Sequence, residues 1–319
     1  QVALRATRAG TVFTTHTPVA AAFDRFPVEL VARFGRPAME EIGVDPRTVL
    51  RLGHGDGPGA PFETARLALA GAGHVNGVSR LHGRVSRHLF APLFPRVPVA
   101  EVPIGHVTNG VDVRTWIGPA AQELWREAEA LAPWRHADRP AAIDLADVPD
   151  ERLWAMRTEA RRKLVRFVRR RMARWARERG ASEELVRRAA GVLDPDALTL
   201  GFARRFTGYK RPTLLLRDPE RLRRLLLDPA RPVQLLVAGK AHPHDGRGRG
   251  MVREMVRFAA DPELADRVVF LPDHDMTIAA NLVAGVDCWL NVPRRPAEAC
   301  GTSGMKILAN GGLHCSVRD

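Results

Sequence analysis

Lysine is nearly missing from this chain, and the scarcity is informative because positive charge is not. Lys and Arg number 49 of 319 residues against 36 Asp and Glu, a formal net charge of +13, yet only Lys163, Lys210, Lys240 and Lys306 are lysines. A chain that uses arginine wherever a cation will serve keeps lysine for what a guanidinium does poorly. That is either a compact point charge or an amine that loses its proton and acts as a nucleophile. Cysteine is scarce too: Cys288, Cys300 and Cys315 have no metal-ligand spacing and cannot all pair. They point to a reducing, cytoplasmic compartment. No apolar run is long enough to span a bilayer. The first ten residues show neither an initiator methionine nor a signal-peptide pattern, so the sequence reads as the middle of something longer. What is present, 45% apolar and 27% charged residues over 319 positions, is the composition of a soluble globular protein with room for two domains.

Much of the surplus charge lies between 157 and 188, where arginines alternate with Leu164, Val165, Phe167, Val168, Met172 and Trp175. This spacing predicts a basic amphipathic helix, with Asp150 as its N-cap. A nucleic-acid or membrane partner would suit such a face. Glu159, Glu178, Glu183 and Glu184 interrupt the charge and no nucleic-acid motif accompanies it, so a solvated helix face is the reading adopted: no nucleic acid and no membrane.

The chain is organised around Asn291-Val-Pro-Arg-Arg-Pro-Ala-Glu-Ala-Cys-Gly-Thr-Ser-Gly-Met-Lys306. Residues 286–290 before it predict a buried strand, and residues 305–311 after it predict a helix stopped by Gly311 and Gly312. A glycine-bearing loop from a strand's carboxyl end into a helix favours an anion through amide N–H groups and the helix dipole. Thr302 and Ser303 add hydroxyls, and Lys306 is expected in the first helical turn. Together they suggest a phosphate-bearing ligand, with the amine as a covalent anchor or as a plain surface lysine.

Along the chain, 11–15 predict a strand with His16 at its carboxyl end, either a turn histidine or a ligand-facing one. A helix follows Asp24-Arg-Phe-Pro27. A loop is expected at 51–60, helices over 62–72 and 74–88, a strand from 103 to an Asn109-Gly110 turn, and a loop over 133–149. The 74–88 helix is read from the stripe Val75, Val78, Leu81, Val85 and Leu89, with Asn76-Gly77 at its start. His74, His82 and His88 lack the spacing of a metal triad, and no metal is assigned. From 197 the rhythm becomes strand, loop, helix: strands over 198–203, 233–238 and 268–271, and helices over 212–227, from about 251, and up to 284. Four such units predict a doubly wound parallel α/β sheet with every motif on its ligand-binding edge. Arg204, Arg205, Lys210, Arg211, Lys240, His242 and Lys306 are expected to converge there, a cationic cavity for more than one phosphate.

These residues carry a resemblance. Phe13-Thr-Thr-His-Thr-Pro-Val19 with Asp24-Arg-Phe-Pro27, Val75-Asn-Gly-Val-Ser-Arg-Leu-His-Gly83, Thr108-Asn-Gly-Val111, Gly201-Phe-Ala-Arg-Arg-Phe206 with Tyr209-Lys-Arg211, Ala238-Gly-Lys-Ala-His-Pro243 and Glu298-Ala-Cys-Gly-Thr-Ser-Gly-Met-Lys306 stand in the order seen in one family. Over nearly its whole length the chain resembles the α-glucan (glycogen, starch, maltodextrin) phosphorylases, in their shorter bacterial and archaeal branch. The resemblance implies two Rossmann-like (GT-B) domains, both incomplete here. Residues 1–195 would be the later part of the N-terminal domain with a long basic linker helix. Residues 196–319 would be the first βα units of a C-terminal domain binding pyridoxal 5′-phosphate (PLP). It implies PLP held as a Schiff base on Lys306, its phosphate near Gly301, Thr302, Ser303, Gly304, Lys210 and His274, and exchanging a proton with substrate orthophosphate. Arg205 would bind orthophosphate; Glu298, Ala299, Cys300, His16 and Asn76 would line the glucan side. The implied reaction is phosphorolysis of α-1,4-glucan to α-D-glucose 1-phosphate with Lys306, Arg205 and Lys210 as catalytic residues. Cys300, His274, Thr207-Gly208 and Asp112 depart from the family's usual residues, and residues 1–319 alone are expected to show weak or no activity. A homo-oligomer of the full-length protein is left open. Two rivals remain: a PLP-independent GT-B glycosyltransferase, and a non-catalytic glucan-binding descendant.

Overall fold

A computed structural model describes residues 2–57, 59–127 and 148–318. Most of the loop expected at 133–149 lies outside the described residues. The chain falls into two compact units, Gln1–Asn109 with Arg295–Cys300, and Gly110–Arg294 with Gly301–Arg318; the sequence division falls at 195/196 instead.

In the first unit, α1 (Val2–Ala9) leads to β1 (Val12–Thr14). Then come β2 (Arg25–Phe26), α2 (Val28–Glu41), α3 (Pro46–Gly53), β3 (Phe62–Glu63), α4 (Thr64–Gly71), β4 (His74–Gly77), α5 (Arg80–Phe90) and β5 (Gly105–His106). Strands β1, β4 and β5 form a parallel sheet in the order β1-β4-β5, and β2 pairs with β3 as an antiparallel ribbon. Ala65, Leu69, Phe90, Val102 and Ile104 form the core.

Several expectations are corrected here. Residues 74–88 are not one helix: 74–76 pair with β1, 76–77 pair with β5, and the helix starts only at Arg80. Ser79 adopts an extended backbone, and its hydroxyl accepts from the His82 N–H at 3.0 Å, a standard N-cap bond. Val75 and Val78 therefore match the helical stripe by coincidence. Gly77 runs so close to α5 that a Cβ there would lie 2.8 Å from the Gly83 nitrogen. Residues 51–53 close α3 instead of opening a loop, 62–63 are strand, and within 103–112 only 105–106 pair.

In the second unit, α6 (Val113–Trp116), α7 (Pro119–Glu127), α8 (Asp150–Glu178) and α9 (Glu183–Ala189) precede a βα series. It runs β6 (Leu198–Ala203), α10 (Pro219–Leu227), β7 (Val233–Ala238), α11 (Gly246–Ala259), β8 (Val268–Leu271), α12 (Met276–Gly285), β9 (Cys288–Asn291), α13 (Thr302–Ala309) and β10 (Leu313–Ser316). The five strands are all parallel, in the order β10-β9-β6-β7-β8. Strand β7, paired on both sides by β6 and β8, explains why these strands read as unbroken apolar runs: both faces are covered. Leu235 and Val237 pack with Phe202, Phe206, Leu222, Leu226 and Met255, whereas Leu236 and Ala238 pack with Leu164, Val168, Ile278, Leu282 and Ile307. Helices α10 and α11 thus cover one face, and α8, α12 and α13 the other.

Helix limits shift for local reasons. The expected 212–227 helix splits into a 3-10 turn, Leu214–Arg217, and α10, because Asp218 caps a new start by accepting from the Arg221 N–H at 3.0 Å. Helix α11 begins at Gly246 under an Asp245 cap. Asp150 is the first residue of α8, and Pro149 holds the cap position. The basic stretch is two helices: Gly180, at φ +70°, ends α8, and Ser182 caps α9.

The solvated-face reading holds for Arg162, Arg166, Arg170, Arg174 and Arg177 of α8, which are exposed, and fails at two positions. Arg157 and Arg161 are buried, at 8% and 2% exposure. Asp287 Oδ1 lies 2.9 Å from Arg161 and 3.5 Å from Arg157, while its Oδ2 accepts the Thr199 N–H at 2.9 Å. Arg157 further donates to the carbonyls of Ala284 (3.0 Å), Asn310 (2.8 Å) and Val286. Burial lowers the Arg157 pKa, with Asp287 opposing. No helix among the described residues is long and apolar enough to cross a membrane.

Candidate functional site

The strand order creates a switch point. From β6 the sheet grows to β7 and β8 on one side, then returns to add β9 and β10 on the other. Loops leaving the carboxyl ends of β6 and β9 diverge there, and open α/β sheets take ligands in such a crevice. These two loops carry the densest chemistry in the sequence, 204–211 and 292–306.

They are fastened together. The Arg204 guanidinium, nearly buried, donates to the Asn291 carboxamide oxygen. Arg211, held in the left-handed region at φ +48°, donates to the carbonyls of Val292 at 2.7 Å and Pro293 at 3.2 Å. The Arg294 N–H donates to the Tyr209 carbonyl at 2.6 Å. Two of the expected ligand cations, Arg204 and Arg211, thus bind the loops themselves. Arg205 is exposed, and the Lys210 amine stands 4.9 Å from the Tyr209 ring centre.

The loop after β7 starts at Gly239, which no other residue could replace: φ is +154°, and a Cβ would sit 2.0 Å from the Arg204 carbonyl oxygen. Lys240 and His242 follow, both exposed. After β8, the His274 Nε2 is buried without a hydrogen-bond partner. Burial lowers the His274 pKa and the Lys240 charge adds to this, with Asp275 opposing.

Helix α13 begins at Thr302, earlier than expected, so Lys306 lies one turn beyond the helix start. Its start brings the positive end of the helix dipole to the ligand edge, with the Gly304 N–H already donating to the Gly301 carbonyl at 3.1 Å. The helix rests on two strand residues in register, Trp289 of β9 and His314 of β10. The Trp289 indole N–H donates to the Ser303 hydroxyl at 3.2 Å. The His314 ring lies against Gly304, where a Cβ would come within 2.3 Å of it; its Nε2 is buried and unpartnered, and burial with the nearby Arg204 charge lowers its pKa. The half-buried Lys306 amine lies 3.2 Å from the centre of the Trp116 ring, and burial lowers its pKa.

His314 and Trp116 were missed by sequence reasoning. His314 could have been found by extending the strand alternation past Gly312. Trp116 carries no sequence signal linking it to Lys306, 190 positions away.

The first unit holds the remaining expected residues. His16 follows β1 and is exposed. Asn76 lies in β4 in register with Thr14 of β1, its carboxamide oxygen accepting from the Thr14 hydroxyl at 3.1 Å and its Nδ2 donating to the Gly77 carbonyl at 3.2 Å. In segment 295–300, Glu298 is 7% exposed, and Ala299 and Cys300 are half-buried. Among the described residues no cluster of three His, Cys, Asp or Glu side chains could hold a metal ion.

Comparison with known proteins shows the family. The profile of the family described as Phosphorylase: Carbohydrate phosphorylase matches residues 56–319. The chain is 47% identical to a glycogen phosphorylase of Mycobacterium tuberculosis, over 99% of this chain and 37% of that protein. It is 39% identical to a glycogen phosphorylase of Aquifex aeolicus, over 99% of this chain and 46% of that protein. It is 37% identical to a maltodextrin phosphorylase of Thermococcus litoralis, again over 99% of this chain and 37% of the relative. The chain therefore spans less than half the length of these relatives, and within that span it belongs to the carbohydrate phosphorylase family.

Proposed function

We propose that the protein carrying this chain is an α-glucan phosphorylase, cleaving α-1,4-glucan with orthophosphate to α-D-glucose 1-phosphate, on a two-domain GT-B framework with PLP at Lys306. The observation that carries this reading is the Lys306 amine: half-buried, with a lowered pKa, and one turn inside a helix whose start faces the switch point. An amine that sheds its proton more easily is the form that attacks an aldehyde. The residues present suit PLP on further grounds. The start of α13 favours a phosphate. His274 and His314 keep buried ring nitrogens without a protein partner, a condition that polar ligands commonly relieve. When bound, PLP supplies a phosphate group that gives a proton to, and takes one from, substrate orthophosphate.

The chain's own residues then divide the work. Lys306 holds the cofactor's aldehyde end. Gly301, Thr302, Ser303 and Gly304, through first-turn amides and hydroxyls, hold its phosphate with Lys210, and His274 contributes a neutral ring. Arg205 offers orthophosphate a permanently charged two-pronged donor. Lys210 and Arg205 offset the repulsion between two phosphate groups, the form of electrostatic assistance a low-dielectric site makes large. Glu298 and the amides of Ala299 and Gly301 take the glucosyl hydroxyls, with Cys300, His16 and Asn76 on the substrate side. The whole protein, given maltodextrin and orthophosphate, should release glucose 1-phosphate. Glucosyl transfer from a nucleotide sugar with no phosphate-dependent release would instead support the PLP-independent glycosyltransferase.

A further inference from the structure

Lys306 does not stand alone over its indole. Trp116 closes α6, a helix of four residues, too short to fix its own conformation. What fixes it is Asn310, just past the end of α13 and fully buried at 0% exposure. Its Nδ2 donates to the Trp116 carbonyl at 2.9 Å and to the Lys306 carbonyl at 2.8 Å, and its Oδ1 accepts the Gly118 N–H at 2.7 Å. One carboxamide thereby uses both donors and an acceptor to fasten the segment bearing the indole to the helical turn bearing the amine.

The fastening is backed on each side. The Asn310 carbonyl accepts from buried Arg157, and the Trp125 indole N–H donates to the Ala309 carbonyl at 2.7 Å. Gly118 fits only as glycine or with local movement, since a Cβ there would meet Ala284 at 3.0 Å and the Asn310 oxygen at 3.3 Å. The ring is therefore held under the amine by the same side chain that pins the amine's own backbone.

We infer that Asn310 is a positioning residue for the Lys306 amine and acts through Trp116, setting the indole that covers one side of the amine and leaving the other side for a carbonyl. Its bearing on catalysis rests on the reading of Lys306 as the cofactor lysine; the positioning itself does not.

Reductive methylation with 13C-formaldehyde labels the lysine amines of the whole protein once it has been freed of PLP, and Lys306 is assigned by the loss of its signal in Lys306→Arg. The Lys306 methyl protons should resonate upfield of ordinary lysine signals because they lie over an aromatic ring. Trp116→Leu should abolish the displacement. Asn310→Ala should remove most of it, leaving Lys163, Lys210 and Lys240 in place. The double variant should match Trp116→Leu alone, since an effect that acts through the indole does not add to its loss. Should Asn310→Ala fail to fold, Asn310→Asp keeps the acceptor for Gly118, loses both donors, and should give the same loss. A wild-type Lys306 signal in a folded Asn310 variant, additive effects in the double variant, or no upfield displacement in the wild type would overturn the inference. PLP binding, read separately by absorbance in the same variants, tells its failure apart from failure of the phosphorylase reading.

Discussion

The sheets of the two units differ in how they hold their strands. In the five-stranded sheet, β6 and β7 are six residues each, and β7 is covered on both faces by helices. In the three-stranded sheet the strands have two to four residues, and the burial of β1 and β5 is partial or absent. The first takes its order from cross-sheet packing. The second depends more on caps and tight crossings, such as Ser79 and the Gly77–Gly83 approach.

The largest break in that comparison should come from Asp287→Ala. It would leave the buried guanidiniums of Arg157 and Arg161 without their carboxylate and should destabilise the second unit by about 3–5 kcal/mol, read by native-state hydrogen exchange on β6, β7 and β9. Leu236→Ala, at a fully buried site in β7, should follow at about 2–5 kcal/mol, seen as lost protection across the same sheet. In the first unit, Ser79→Ala removes a cap and should weaken α5 by about 0.5–2 kcal/mol, with exchange in β6–β10 unchanged. An equal response of both sheets to either core change would break the comparison.

The smallest effect is in pH. His82 is fully buried, its Nδ1 accepts the Val78 N–H at 3.1 Å, and burial lowers its pKa with the His16 charge adding to this. The native state thus binds a proton less readily than the unfolded chain. Stability of α5 and β4 should be full above the unfolded histidine pKa and decline as pH falls below it. Exchange at pH 7.5 and pH 5.5 should show this slope, and His82→Asn should flatten it.

The same contrast explains what could be read in advance. Strands β6, β7 and β8 were legible to the residue because two-sided burial writes a continuous apolar run. The parallel direction of the sheet followed from their repetition. Strand β4 was misread because Val75 and Val78 match a helical stripe, and only Ser79's extended backbone shows where strand gives way to helix. At the site, the glycine loop and Lys306 were legible through residue type and spacing. Sequence could not show the guanidiniums turning back onto the protein, Arg204 onto the Asn291 side chain and Arg211 onto the Val292 and Pro293 carbonyls. Trp116 and Asn310 were not legible, because their role is a meeting of segments far apart in the chain.

Everything proposed for the site turns on Lys306 as the lysine that takes PLP. The most direct test is borohydride reduction of the whole protein equilibrated with PLP, then mass mapping of its lysine-bearing peptides, those of Lys163, Lys210, Lys240 and Lys306 among them. The account predicts a pyridoxyl mass on the peptide bearing Lys306, with Lys163, Lys210 and Lys240 unmodified. Label spread over the other lysines, or none on Lys306, would contradict it.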